Sequence, residues 1–216
     1  MLNRREFLAA GACVFGLSAV PFAFAADATG DPQQWVMEIS SNILNAIKND
    51  KDLAAGDPKR VQKFVDEMVM PVVDFERMTR TAVGPKWRGA TAEQRKELQH
   101  QFREQLTRVY SGALATVKDQ TLKLAPNRVK PTPTDALVRT HLVTPGKPEV
   151  AINYRLKKIK GEWRIIDVDV EGIWMVENYR SQFASTLNQD GIPGLIRLLE
   201  EKGEELAGKN AMKPAS

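Results

Sequence analysis

The chain has 216 residues, of which 43% are hydrophobic and 27% are charged, and its formal net charge is +4. This length is enough for one domain with a sizeable hydrophobic core. The basic residues are spread along the sequence without a dense cluster, which argues against a nucleic-acid-binding protein. The single cysteine is Cys13, close to the N-terminus, so the rest of the chain can form no disulfide and use no thiol chemistry.

The first 25 residues have the layout of an export signal. Arg4 and Arg5 precede an apolar stretch from about residue 9 to residue 24, and Ala23 and Ala25 supply small residues where a signal peptidase reads. We therefore predict cleavage after Ala25. The arginine pair resembles a twin-arginine signal, and a general secretory signal stays open. A membrane anchor is disfavoured because the stretch is shorter than the ~20 residues of a spanning helix and contains Gly and Pro.

Helical patterns occupy the first half of the remaining chain. Four helix starts are predicted at residues that commonly cap helices: Asp31, Asp57, Asp74 and Thr91. Pro32 and Pro58 follow the first two caps, where a proline suits the first helical turn. Thr91 and Gln94 form a capping box, which opens the longest periodic segment in the chain, running to about Val117.

From Gln120 the apolar period changes from four residues to two, which is typical of strands. Four strands are predicted, near 122–124, 137–143, 150–156 and 163–170, and short turns join most of them. A helix over 173–189 and a last helix after Gly191 follow. These patterns predict an α+β fold, in which about six helices wrap a curved four-stranded antiparallel sheet. The predicted domain spans 26–208, and 209–216 are predicted to form a disordered tail.

The residues that usually carry catalysis are not arranged for it. His100 and His141 are the two histidines of the chain, and neither has a second ligand at metal-site spacing. We therefore predict no metal and no other cofactor. Asp167 and Asp169 alternate with Val168 on the last predicted strand, and we interpret them as its outward, solvent-facing polar side.

Several segments have specific residue patterns. They are 70–75, 87–95 and 167–183, the last with Asp-Val-x-Val-Glu-Gly-Ile followed by Glu-Asn-Tyr-Arg-Ser-Gln-Phe. Together with Gly191 and Leu199, they resemble the MlaC/toluene-tolerance family of periplasmic phospholipid-binding proteins, over nearly all of the chain after the leader. One departure is Trp174, which stands where a small polar residue, commonly Ser, is expected. This departure bears on the volume of a cavity at that point.

The resemblance implies an NTF2-like cone with an apolar cavity and no catalytic residues. It also implies a periplasmic carrier that shields the acyl chains of a diacyl phospholipid, which is cargo rather than cofactor. Its partners would be an outer-membrane lipoprotein–porin complex and an inner-membrane ABC transporter, and its role would be to maintain outer-membrane lipid asymmetry. Periodicity on this fold gives the candidate lipid-binding residues: Phe75, Met78, Val83, Phe102, Leu106, Tyr110, Val150, Ile152, Tyr154, Ile166, Val168, Val170, Met175 and Tyr179.

Two other classes of protein stay open. An NTF2-like enzyme, such as an isomerase, would place Tyr154 or Tyr179 near an aspartate that points into the pocket. A pure adaptor or chaperone would bind partners through its surface, and its core would be filled rather than hollow.

Overall fold

The computed structural model describes residues 26–114 and 116–211, and in this part of the chain it contains seven α-helices. These are α1 (Pro32–Asn49), α2 (Lys51–Ala54), α3 (Pro58–Phe64), α4 (Phe75–Val83), α5 (Ala92–Leu114), α6 (Met175–Gln189) and α7 (Gly191–Ala211). A π-helical turn (Val65–Val69) and a 3-10 turn (Met70–Val72) connect α3 to α4, and a second 3-10 turn (Gly84–Gly89) connects α4 to α5.

The two predicted terminal segments lie wholly or partly outside the residues that the structure describes. The predicted export signal, 1–25, lies outside the described residues, as do residues 212–216 of the predicted tail. Helix α7 reaches Ala211, so the first three residues of that predicted tail are helical. Within the described ranges, no helix combines the length and the apolar character that a membrane span requires.

The predicted helix starts are confirmed, and side-chain caps hold them. Asp31 Oδ1 accepts hydrogen bonds from the backbone N–H groups of Gln33 and Gln34, both at 2.9 Å. The capping box forms in both directions: Thr91 Oγ1 accepts from the Gln94 N–H at 3.2 Å, and Gln94 Oε1 accepts from the Thr91 N–H at 3.0 Å. These bonds satisfy N–H groups that a helix leaves free at its first turn.

The sheet is an antiparallel meander with the strand order β1-β2-β3-β4-β5. Its strands are β1 (Thr121–Leu124), β2 (Asp135–Val143), β3 (Val150–Ile159), β4 (Glu162–Val170) and β5 (Ile173–Trp174). The α+β architecture is confirmed, but the predicted four strands are one too few.

The fifth strand arises from a two-residue turn. Glu171 and Gly172 have φ values of 54° and 88°, and Val170 and Ile173 pair on either side of them. Positive φ at both central residues gives the turn type whose twist suits a hairpin. The chain therefore reverses and forms β5 before α6 begins at Met175, whereas the sequence predicted a helix directly after the glycine.

A β-bulge decides which β4 side chains share a face. Arg155 pairs with Asp167 and Leu156 pairs with Ile165, so Ile166 is an extra residue in β4. Residues opposite each other in an antiparallel ladder point to the same face. Ile165 and Val168 therefore share one face, and it is Ile165, not Ile166, that packs with Val168 in the sheet core.

Three groups of buried residues hold the fold together. The sheet core packs α1 against β2, β3 and β4 through Trp35, Val36, Ile39, Val138, Leu156, Trp163 and Ile165. The helical core joins α4, α5, α6 and α7 and includes Phe75, Met78, Leu98, Phe102, Tyr179, Phe183 and Leu195. The small core joins the end of α1 to α2 and α3 through Ile47, Leu53, Val61 and Phe64.

The helical core gives a prediction for alkaline pH. Burial, together with the nearby Tyr110, raises the pKa of Tyr179 to about 12 from an ordinary value of 10.0. The folded protein then holds this proton more tightly than the unfolded chain, so the contribution of Tyr179 to the free energy of unfolding falls as pH rises from 10 towards 12. Urea denaturation measures this change. Between pH 9 and pH 11, we expect the free energy of unfolding to fall by about 1 kcal/mol more in the wild type than in Tyr179→Phe. Equal losses in the two proteins would contradict the assigned shift.

Candidate functional site: an apolar cavity between two cores

A cavity of about 310 Å³ lies between the helical core and the small core. Its volume is at the lower end of the ~300–1,000 Å³ that small-molecule sites occupy. The wall is formed by α1, α3, the π-helical turn, α4 and α5, and by single residues of the first 3-10 turn, the segment after it, β4 and α6. The lining residues are Ile43, Ile47, Val61, Phe64, Val65, Val69, Met70, Val73, Phe75, Met78, Arg103, Leu106, Thr107, Tyr110, Ser111, Leu114, Val168 and Met175.

Six of the fourteen candidate residues from the sequence meet in this wall. They are Phe75, Met78, Leu106, Tyr110, Val168 and Met175. They come from α4, α5, β4 and α6, so the fold brings together residues from two distant parts of the chain, 75–110 and 168–175. Tyr110 is 44% exposed while it lines the cavity, so the cavity reaches the surface beside this side chain.

The other eight candidates lie elsewhere. Val83, Phe102 and Tyr179 are buried in the helical core, behind the cavity wall. The remaining five are on the sheet, at positions that do not line the cavity: Val150, Ile152, Tyr154, Ile166 and Val170. Helix α1 explains much of this difference because it packs on the sheet where the cavity was expected. The Tyr154 hydroxyl, for example, lies 3.5 Å from Ser40 Oγ of α1.

The sequence reasoning missed the wall formed by α1, α3 and the π-helical turn. Ile43, Ile47, Val61 and Phe64 were visible in the sequence as apolar faces of two amphipathic helices. Periodicity identifies such a face but does not say what it packs against. In the structure these faces meet α5 across the cavity, so they belong to the site.

Helix α5 presents two parallel stripes to the cavity. Leu106, Tyr110 and Leu114 form the apolar stripe at a spacing of four residues. Arg103, Thr107 and Ser111 form a second stripe at the same spacing, and they line the cavity mainly through their carbon atoms, because the lining surface is almost wholly apolar. Residues four apart lie one above the other on a helix, so each stripe follows one line of the wall.

Asp167 positions the residue that lines the β4–α6 end of the cavity. Its Oδ1 accepts hydrogen bonds from the backbone N–H groups of Val176, at 3.0 Å, and Val168, at 2.9 Å. The first bond anchors the start of α6, where Met175 lines the cavity. Burial raises the pKa of the Asp167 carboxyl above 3.8, against the opposing effect of these two bonds and of Arg155.

The interpretation of Asp167 and Asp169 as a solvent-facing polar side is wrong. The two residues are 5% and 1% exposed, because α6 begins over Asp167 and β5 folds back beside Asp169. Asn153 Nδ2 donates a hydrogen bond to Asp169 Oδ1. The two aspartates do alternate with Val168 along the strand, but the sequence did not reveal that α6 and β5 cover the face on which they lie.

Trp174 does not narrow the cavity. It pairs with Asp169 in the sheet, so it lies on the face opposite Val168. The guanidinium carbon of Arg155 is 3.7 Å from the centre of its ring, which is the geometry of a cation–π contact. Trp174 therefore lies with Arg155 on the sheet face that points away from the cavity, and it is not part of the cavity wall.

The histidines lie at the surface of the molecule. His100 is exposed on α5, and His141 Nδ1 is 2.8 Å from Glu149 Oε2 on an exposed part of β2. Across residues 26–114 and 116–211, no group of three or more His, Cys, Asp or Glu side chains is placed to hold a metal ion.

Comparison with known proteins identifies the family. The family model for "MlaC protein" matches residues 37–201, which is most of the chain. The chain belongs to the MlaC family. The Toluene tolerance protein ttg2D of Pseudomonas putida is 26% identical to this MlaC-family chain over 176 residues, covering 81% of this chain and 80% of the relative. The intermembrane phospholipid transport system binding protein MlaC of Haemophilus influenzae is 21% identical over 194 residues, covering 88% and 91%.

A solved structure supports the same assignment to the MlaC family. The phospholipid-binding protein of Ralstonia solanacearum, determined in complex with a phospholipid, is 36% identical and superposes with a TM-score of 0.78. The match covers 82% of this chain and 99% of that protein. Fold and sequence therefore agree over nearly the whole of the solved relative.

Proposed function

We propose that this protein is a periplasmic phospholipid carrier that holds acyl chains in the cavity between its helical core and its small core. The observation that carries this proposal is the apolar cavity, in a chain that is 36% identical to a protein solved with a phospholipid bound. On this proposal the lipid moves between an outer-membrane lipoprotein–porin complex and an inner-membrane ABC transporter, and the transfer maintains outer-membrane lipid asymmetry.

The energetics of lipid transfer support a shielding cavity. Each buried methylene group is worth about 0.8 kcal/mol relative to water. Two acyl chains of ordinary length would therefore cost on the order of 20 kcal/mol to carry through water unshielded. A wall of Val, Ile, Leu, Phe and Met side chains supplies the required surroundings. No bond is made or broken in this task, so the proposal needs no catalytic residue.

Two observations count against the alternatives. An isomerase-like enzyme needs a carboxylate beside a tyrosine in the cavity, but Asp167 and Asp169 lie on the sheet face opposite Val168. A pure adaptor would have a filled core, whereas this protein has a cavity between its two cores.

The export signal predicted over residues 1–25 supports a periplasmic location.

Native mass spectrometry of the protein purified from periplasm without detergent tests the proposal. We expect a stoichiometric mass increment that solvent extraction identifies as diacyl phospholipid. A bare polypeptide that also takes up no lipid from phospholipid vesicles would overturn the carrier function. Lipid bound without a defined stoichiometry would indicate surface adsorption and would contradict the cavity as the site.

A further inference from the structure

The start of helix α6 lies beside the opening of the cavity. The cavity reaches the surface next to Tyr110, and Tyr110 lies near Tyr179 of α6. Met175 stands one turn before Tyr179 on the same helix, and it lines the cavity. Because residues four apart lie one above the other, Met175 and Tyr179 are on the same side of α6. The first turn of α6 therefore borders the place where a ligand would enter or leave.

The segment that leads into α6 is attached to the sheet over a short length. Strand β5 has two residues, and it pairs with β4 through Asp169–Trp174 and Val170–Ile173. Ile173 is 63% exposed, and Val170 is 43% exposed. Segments with exposed side chains and few buried contacts open at a lower free energy than the core of a fold. Contacts other than this pairing therefore decide how firmly the segment is held.

Helix α6 depends on β4 for the cap of its first turn. Its N-cap residue is Trp174, and an indole ring offers a donor but no acceptor for the N–H groups of a helix. The acceptor is instead Asp167 Oδ1, which lies 3.0 Å from the Val176 nitrogen. A first turn that is capped from another element is fixed only while the two elements stay in contact.

Arg155 links this acceptor to the N-cap residue. Its Nη1 donates a hydrogen bond to Asp167 Oδ2 at 3.3 Å, and its guanidinium carbon lies 3.7 Å from the centre of the Trp174 ring. The Asp167 side chain is 7% exposed, so water screens this ion pair less than it screens a pair between two exposed groups. We call Arg155, Asp167 and Trp174 the clamp. It joins β3, β4 and β5 on the sheet face opposite the cavity.

We propose that the clamp sets the rate at which a lipid passes the opening of the cavity. This inference rests on the proposed carrier function and adds to it a control of exchange. While Trp174 stays stacked on Arg155, Met175 is held in the wall. When the stack breaks, β5 and the first turn of α6 move away from β4, and the opening widens. The clamp touches no ligand, so it changes the barrier to exchange and leaves the affinity for lipid almost unchanged.

Lipid exchange kinetics test the proposal. Pyrene-labelled phosphatidylglycerol is taken up from donor vesicles and released to acceptor vesicles, and stopped-flow fluorescence follows both steps. We expect Trp174→Leu and Arg155→Gln each to raise both rates by about 3- to 30-fold, because each removes the same cation–π contact. The double variant should be no faster than Arg155→Gln alone, since the two residues act through one contact. The amount of lipid bound at equilibrium should stay near the wild-type value.

Lys158→Gln is the matched control. Lys158 Nζ lies 5.1 Å from the centre of the Trp163 ring, so this change also takes a cation from a tryptophan, but away from the cavity wall. It should leave both rates unchanged. Unchanged rates in Trp174→Leu and Arg155→Gln would overturn the inference. Faster release without faster uptake would overturn it as well, because that result is a loss of affinity rather than a lower barrier.

Hydrogen exchange of the lipid-free protein tests the clamp without reference to lipid transport. The Val176 N–H, which donates to Asp167, is compared with the Phe183 N–H in the middle of α6. We expect both substitutions to speed exchange at Val176 by about 3- to 30-fold and to leave Phe183 at its wild-type rate, because the opening is local. Equal acceleration at the two sites would indicate global destabilisation and contradict the clamp. A wild type that takes up no lipid would refute the carrier function, and with it the role of the clamp in exchange, even where Val176 responds as expected.

Discussion

Val168→Arg should empty the cavity of phospholipid and leave the protein folded. Val168 is the residue through which the sheet lines the cavity in the described structure, and it is only half-buried. A guanidinium at this position would enter space that acyl chains are proposed to occupy, and a charge beside hydrocarbon is costly unless it is paired. We expect lipid that co-purifies with the protein to fall at least about tenfold, given the size of that penalty.

Val170→Arg is the control for this substitution. Val170 lies two residues further along β4 on the same face, but it is 43% exposed and does not line the cavity. The same charge at this position should leave lipid binding near the wild-type level. If Val168→Arg retained its lipid and melted at the wild-type temperature, the cavity would not be the lipid site.

Phe102→Ala should produce a large loss of stability. Phe102 is 1% exposed, and its ring lies 4.8 Å from that of Tyr179, 5.3 Å from that of Phe183 and 5.6 Å from that of Phe75. Removing a buried phenyl ring costs about 3–5 kcal/mol, because the lost contacts leave a void that relaxes only in part. For a chain of this size, that corresponds to a fall in Tm of roughly 6–20 °C.

Thermal denaturation followed by circular dichroism measures this effect. Val109→Ala on the same helix is the matched control, since Val109 is 44% exposed and its truncation should cost less than about 0.5 kcal/mol. A Tm for Phe102→Ala within about 2 °C of the wild type would contradict the assigned packing. The substitution also tests a reassignment, because the sequence placed Phe102 in the cavity and the structure places it behind the wall.

The elements that could be predicted from the sequence are those decided by nearby residues. The capping box of Thr91 and Gln94 and the Asp31 cap need only a few consecutive residues, and the bonds in the structure match them. The alternation of β3 and β4 likewise showed where strands lie. These signals depend only on neighbouring residues, so they can be recognised without knowledge of tertiary contacts.

The features that could not be predicted depend on distant parts of the chain. The bulge at Ile166 is a property of the pairing between β3 and β4, and the alternation within β4 alone does not reveal it. The burial of Asp169 depends on the return of β5, and the covered sheet depends on where α1 docks. For this reason five of the eight predicted wall residues on helices line the cavity, whereas only Val168 does so among the six predicted on the sheet.

The location of the cavity has a consequence for the range of cargo it can hold. Close-packed interiors resist changes of volume, because each side chain is fixed by its neighbours. This cavity is instead a seam between two separately packed cores, and the wall opposite α5 runs from α3 through a π-helical turn into a 3-10 turn. Helix α3 carries Val61 and Phe64 of the small core, so a shift of α3 together with α2 and the end of α1 would change the width of the seam and keep the contacts of that core. On the proposed carrier function, a gap of adjustable width would accept acyl chains of different length and unsaturation.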